Sequence, residues 1–344
     1  MLKRCIALFT FSCLLLLNAC SEPPRTLSFD EFFRSIQALN WFAISDAARA
    51  QNEGLTKAMP FDEHYLRSRH ELLHSVDMAR LSEEQRESIK YLKIQERYPE
   101  RFFAWPPHTD VIKHTYKEVS DESLDEWLKL VLARLKAGRE SHVILSRLER
   151  MQLLDYLAES RFDSAHKQAL EQYLSEYKAR SGIGLYQLPN GKEWYQSKLN
   201  YYSGQTHDPY ELATFLSARV TAVNGSIEFS GSTESRFPAI LAITAAYCDA
   251  MPGLNWRDSY VDIKRTLANC YERIPLSKWK VLAVVAEVDL GIHLYAWSQD
   301  QAMHRLQSRL ALNDAQAHAL LKNIAFYPAT NMAILPYIKA LSTI

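Results

Sequence analysis

From Ser28 onward the chain repeats one arrangement: a polar residue able to cap a helix, then apolar residues spaced i, i+3, i+4 and i+7. Ser28-Phe29-Asp30-Glu31 and Ser82-Glu83-Glu84-Gln85 each read as a capping box, the second ahead of Ile89, Leu92 and Ile94. Ser120 to Ala137 carries Leu124, Trp127, Leu128, Val131 and Leu135 on one face, and His142–Glu159 and Ser164–Arg180 follow the same rule. The charged residues between them, such as Arg147, Glu149 and Arg150, read as a solvated face. Further helices are expected from about Lys192, Pro209, Phe237, Asp258, Leu276, Asp300, Asp314 and Tyr327. Glycine is scarce, ten in 344 residues, less than half the usual ~7 % share, which suits helices and leaves little for phosphate loops or tight strand turns. The expected fold is all-α, with at most a small β-hairpin at Ala222–Ser232 around Asn224-Gly225. Gly182, Gly184, Pro189 and Gly191 interrupt the periodicity, dividing an N-terminal helical region, 28–180, from a C-terminal one, 181–344.

The first 19 residues read as a signal peptide: Lys3 and Arg4, then an apolar run from Ile6 to Leu17 that is too short to anchor in a bilayer. The run ends in Leu17-Asn18-Ala19-Cys20, which resembles a bacterial lipobox, so Cys20 is the expected site of lipid attachment. The bland alternative is a plain secretory signal with an incidental cysteine. Residues 20–27, with Pro23-Pro24, form a stiff tether. Ser21, rather than Asp, follows the cysteine, which favours the outer membrane facing the periplasm over the inner membrane. Cys5 and Cys13 leave with the signal, so Cys248 and Cys270 are the thiols of the folded body. They form either a disulfide, as an oxidising compartment favours, or two buried free thiols. With 40 basic and 40 acidic residues the net charge is zero, which removes the footprint of a nucleic-acid binder.

His70-Glu71-Leu72-Leu73-His74 is the one motif with catalytic spacing. On a helix, i and i+4 put both imidazoles on one face to hold zinc, and Glu71 could act as general base on a metal-bound water. Glu96 and Glu100 are the downstream acids that could supply a third ligand. Against this, Arg67 and Arg69 precede the motif and give it the look of a solvated surface run. Nucleophile elbows, P-loops and a complete G-x-G-x-x-G are absent from the sequence, and the other histidines read as structural.

Two segments carry a family resemblance. Leu188-Pro189-Asn190-Gly191-Lys192-Glu193-Trp194-Tyr195, followed by Thr206, Asp208-Pro209 and Glu211, is similar to a stretch of the bacterial domain-of-unknown-function 885 family. Asp289-Leu290-Gly291-Ile292-His293 with Trp297-Ser298 and Gln301-Ala302 resembles that family's Asp-Thr-Gly-x-His…Gly-Trp-Ser-x-x-Gln-Ala segment. The resemblance implies a helical, zinc-metallopeptidase-like scaffold, and lipoprotein signals are frequent among such members. It also implies that the metal site has degenerated. The family's His-Glu-x-x-Pro-Gly-His-His reads Cys248-Asp249-Ala250-Met251-Pro252-Gly253-Leu254-Asn255, the arginine before the Asp-Thr-Gly segment reads Val285, and Pro-Gly-Gln near the C-terminus reads Pro328-Ala329-Thr330. Asp249, Asp289 and His293 are then vestigial, with Asp289 and His293 expected as a buried hydrogen-bonded pair at i and i+4. The function implied is that of a non-catalytic binding protein, without cofactor, for a peptide, cell-wall fragment or protein partner. The alternatives are a zinc peptidase built on His70, Glu71 and His74, and a purely structural envelope protein.

Overall fold

A computed structural model of the chain describes residues 26–42, 62–97, 121–159, 162–221, 239–248 and 260–340. The lipobox with Cys20, the hairpin expected at 222–232, Asp249 and Glu100 lie outside the described residues. Among those described there are fourteen α-helices and no strand, so the all-α expectation holds. Two isolated bridges, Leu27 with Val76 and Ser146 with Arg180, are the β-type pairings given by the described residues.

The N-terminal helices are α1 (Phe29–Phe42), α2 (Glu63–His74) and α3 (Glu83–Glu96). Both expected capping boxes form: Glu31 N–H donates to Ser28 Oγ at 3.3 Å while Glu31 Oε2 accepts from Ser28 N–H at 3.0 Å, and Ser82 with Gln85 repeats the exchange. Phe32, Ile36, Leu73, Val76, Leu81 and Ile89 close a small core under these three helices. α4 (Asp121–Glu140), α5 (Arg147–Glu159) and α6 (Ala165–Ser175) follow, and Leu124, Trp127, Leu128, Val131 and Leu135 of α4 are all buried as their spacing requires. α7 (Gly191–Ser203) and α8 (Pro209–Thr221) lead to the short α9 (Ala239–Thr244) and to α10 (Tyr260–Cys270). α11 (Leu276–His293), α12 (Gln299–Leu310), α13 (Asp314–Phe326) and α14 (Leu335–Ala340) complete the chain.

α11 is the centre of the molecule. Every residue from Val281 to His293 is buried, and α7, α8, α9, α12 and α13 all pack against it. From Val281 onward this helix is mostly apolar around its circumference and has no solvent face to keep, so it takes the interior. Gly291 lets the Trp297 ring lie directly on this helix: a Cβ there would come within 2.3 Å of the indole. The main core runs unbroken from Tyr65 to Ile338, across the Gly182–Gly191 break. α3 and α7 join the two regions through Tyr91 and Tyr201, whose ring centroids are 4.3 Å apart, and through Asn200 Nδ2, which donates to Glu87 Oε2 at 3.2 Å.

Four sequence expectations are corrected here. The helix expected from His142 starts at Arg147, because His142 sits in the left-handed region at φ 60° and Ser146 with Glu149 caps the later start. The helix expected to reach Arg180 stops at Ser175, and the chain after Tyr327 turns through a left-handed Ala329 before a 3-10 segment at Thr330. Glu149 is not on a solvated face. It is 1 % exposed and lies 3.3 Å from the Arg180 guanidinium. Arg180 also donates to the carbonyls of Ile144 at 2.9 Å, Gly184 at 2.8 Å and Gly182, so one side chain ties the break between the regions to the start of α5. Burial pushes the Glu149 carboxyl up, and Arg180 draws it back.

Replacing Arg180 with Met should leave the buried Glu149 without its cation and cost about 3–5 kcal/mol. Equilibrium denaturation of R180M beside the double variant R180M/E149Q checks this: the double variant is expected to recover part of the loss, whereas equal stability of the two would show that the ion pair is not the cause.

Candidate functional site

The C-terminal constellation is built around Asp289, near the last turn of α11. Its carboxylate accepts from Tyr195 Oη at 2.9 Å, from the Ala329 N–H at 3.0 and 3.1 Å, and from Asn331 Nδ2 at 3.3 Å. Asn331 is fixed in turn, since its Oδ1 accepts from the Ile240 N–H at 3.1 Å. Ala329 reaches the carboxylate by adopting φ 64°, a left-handed conformation that a residue with a Cβ takes at some cost. Tyr195 stands on α7, one helical residue after Trp194, and its ring stacks on His293 with centroids 5.4 Å apart.

Asp289 and His293 are both 0 % exposed, as a buried pair would be. Each binds elsewhere, however, and this corrects the expectation of a bond between them. His293 Nδ1 accepts from the Leu185 N–H at 3.1 Å, which places the proton on Nε2, and Nε2 donates to the Ile324 carbonyl at 3.1 Å. The tautomer is set by two backbone groups from either side of α11 and not by Asp289. Burial lowers the His293 imidazole to about 3, so it is neutral at all ordinary pH values. Burial raises Asp289 to about 7 against the pull of the Ala329 N–H, Tyr195, Asn331 and the more distant Lys198. Both nitrogens of the histidine and both oxygens of the aspartate are committed to the fold, and neither faces solvent.

The second constellation is the HELLH run. His70 and His74 lie on the last turns of α2, and their rings face one another with centroids 4.1 Å apart. Glu96, the last residue of α3, meets both: Oε1 is 3.1 Å from His70 Nδ1 and Oε2 is 3.5 Å from His74 Nε2. The three side chains can each offer one ligand atom with all of these atoms within 4.8 Å of one another. The side chains are 61 %, 49 % and 18 % exposed for His70, His74 and Glu96, and Glu71 is exposed beside them. The solvated reading of the motif therefore holds for its histidines. It fails for Arg69, which is buried, because one residue along a helix is a turn of about 100°; its guanidinium donates to Gln95 of α3.

Cys248 and Cys270 form a disulfide, with Cα atoms 5.3 Å apart. Cys248 follows the turn after α9 and Cys270 closes α10, so the two are not opposed across a continuous helical hairpin. At a sequence separation of 22, the link removes about 3 kcal/mol of unfolded-chain entropy in the loop-closure account. Tyr195 was visible in the sequence only as an aromatic beside the Leu-Pro-Asn-Gly turn. Asn331 and Arg180 carried no local signal, since their partners are distant along the chain. No protein family, no curated protein and no solved structure matches this chain.

The opposite shifts of Asp289 and His293 give a test with a definite sign. Between about pH 4 and pH 7 the folded state keeps a proton on Asp289 that the unfolded chain has lost, so this group's contribution to stability falls as pH rises. His293 acts the other way, its contribution being lost as pH falls from about 6.5 towards 3. Comparing the parent with Asp289→Asn cancels His293. Relative to the variant, the parent should lose stability from pH 4 to pH 8, by as much as ~4 kcal/mol if the full shift is expressed. A pH-independent difference in denaturant midpoints would show that Asp289 keeps an ordinary carboxyl.

Proposed function

We propose that the chain is a lipoprotein anchored through Cys20 in the outer membrane, facing the periplasm. Its C-terminal region would be a shortened, degenerate form of the metallopeptidase-like scaffold that residues 188–211 and 289–302 resemble. In this reading the protein binds a peptide, cell-wall fragment or protein partner and turns nothing over. The observation that carries it is the complete internal use of Asp289 and His293. Every donor and acceptor on them is taken by Tyr195, Leu185, Ile324, Ala329 or Asn331, so no group is left to hold a metal or move a proton to a substrate. Gly291 under Trp297 and the left-handed turn at Ala329 shape the packing around these two side chains, which serve as interior hydrogen-bond partners. Any partner is then met on the outer surface rather than in a catalytic cleft. The Cys248–Cys270 disulfide supports residence in an oxidising compartment. No described helix is long and apolar enough to cross a membrane, and the reading needs none, because the anchor is the lipid.

Two measurements test this. Labelled palmitate should enter the wild-type protein and be absent from Cys20→Ser, which should move from the membrane pellet to the soluble periplasmic fraction; a membrane-bound, unlabelled Cys20→Ser protein would overturn the anchor. Purified protein should hydrolyse neither peptides nor cell-wall fragments. Hydrolysis that Asp289→Asn abolishes without unfolding the protein would overturn the non-catalytic reading of the C-terminal region.

A further inference from the structure

The cluster that this reading leaves unused is His70, His74 and Glu96. We infer that these three side chains form a binding site for a single zinc ion that clamps the ends of α2 and α3 together. A tetrahedral zinc with ligand bonds of roughly 2.0–2.2 Å has ligand atoms about 3.3 Å apart. The glutamate oxygens already lie 3.1 and 3.5 Å from the two imidazole nitrogens, and the whole set falls within 4.8 Å. Two imidazoles and one carboxylate are a donor set suited to zinc, and one ligand place stays open to water.

The surroundings favour a cation at this point. His74 and Glu96 are the last residues of their helices, so two helix C-termini converge there, and the backbone carbonyls at such ends carry partial negative charge. Arg97, the nearest cation in sequence to Glu96, is drawn away to Glu193 of α7 at 3.3 Å. The backbone under the ligands is held in register by a buried chain of hydrogen bonds one residue from them. Arg69 donates to Gln95, Gln95 Nε2 to Tyr91 Oη at 2.6 Å, and Lys198 Nζ to the same hydroxyl at 2.8 Å. A supporting shell that positions ligands before the ion arrives is what gives a metal site its affinity. Ser75 then ends α2 directly after His74, its Oγ donating to the Leu72 carbonyl at 2.8 Å.

The role is that of a clamp. A hydrolytic zinc needs a shaped site that excludes water and holds a substrate, whereas both imidazoles here stand about half or more in solvent. The ion would fasten α2 and α3 beside the point where Leu27 N–H bonds to the Ser75 carbonyl at 2.9 Å.

The test uses the mature lipoprotein in detergent, stripped with a chelator and titrated with zinc chloride alone. Calorimetry is expected to give one zinc per chain, and thermal unfolding should shift upward with added zinc and return on chelation. His70→Ala and Glu96→Gln should each weaken binding by more than the ~10–100-fold that loss of a supporting partner costs, with unchanged far-ultraviolet circular dichroism. His318→Ala, an exposed histidine on α13, should bind as wild type, and so should Glu71→Gln. Cobalt substitution should give visible absorption bands that are lost in His70→Ala. Absence of zinc uptake, or uptake that survives in the His70→Ala/His74→Ala/Glu96→Gln protein, overturns the site. Zinc-dependent peptide hydrolysis lost in Glu71→Gln would support the metal site and overturn the non-catalytic reading of the protein instead.

Discussion

A helical segment that water reaches on no side must find every partner for its polar side chains inside the protein, and residues 281–293 of α11 impose that condition on the rest of the chain. Its three polar residues in the last two turns each recruit a different segment. Glu287 holds Arg305 of α12 with two contacts of 2.5 and 2.7 Å. Asp289 gathers Tyr195 of α7 and the turn at Ala329–Asn331. His293 ties Leu185, in the break between the helical regions, to Ile324 of α13. The apolar faces bring the helices together without direction, whereas these bonds specify which segment stands where.

The same chain treats its two histidine-carboxylate groups in opposite ways. On α11 the ionisable atoms are buried and the tautomer is fixed by backbone groups. On α2 the two imidazoles are exposed and their carboxylate partner comes from a different helix. Those are the conditions under which an ion can reach the ligands without unfolding anything. The group on α11 is part of the architecture, whereas the imidazoles of α2 pair with Glu96 at a surface that solvent reaches.

What the sequence made legible was local. Ser28 with Glu31, Ser82 with Gln85 and the apolar face of α4 are read correctly because cap and periodicity depend on residues within one or two turns. The i, i+4 spacing put His70 and His74 on one face, and Glu96 was among the acids named for them. What stayed hidden depends on partners far along the chain. Glu149 looked solvated because Arg180 is 31 residues away, and Arg69 because Gln95 belongs to another helix. Asp289 was recognised as buried, but its ligands at Ala329 and Asn331 lie 40 and 42 residues on, across a turn whose left-handed alanine no periodicity reveals.

The attachment of the first residues to the body has a mechanical consequence. Leu27 is fixed by one backbone bond to Ser75 and a single bridge to Val76. A load passed along the backbone into Leu27 therefore enters the described body at one corner, beside the end of α2 that carries His74.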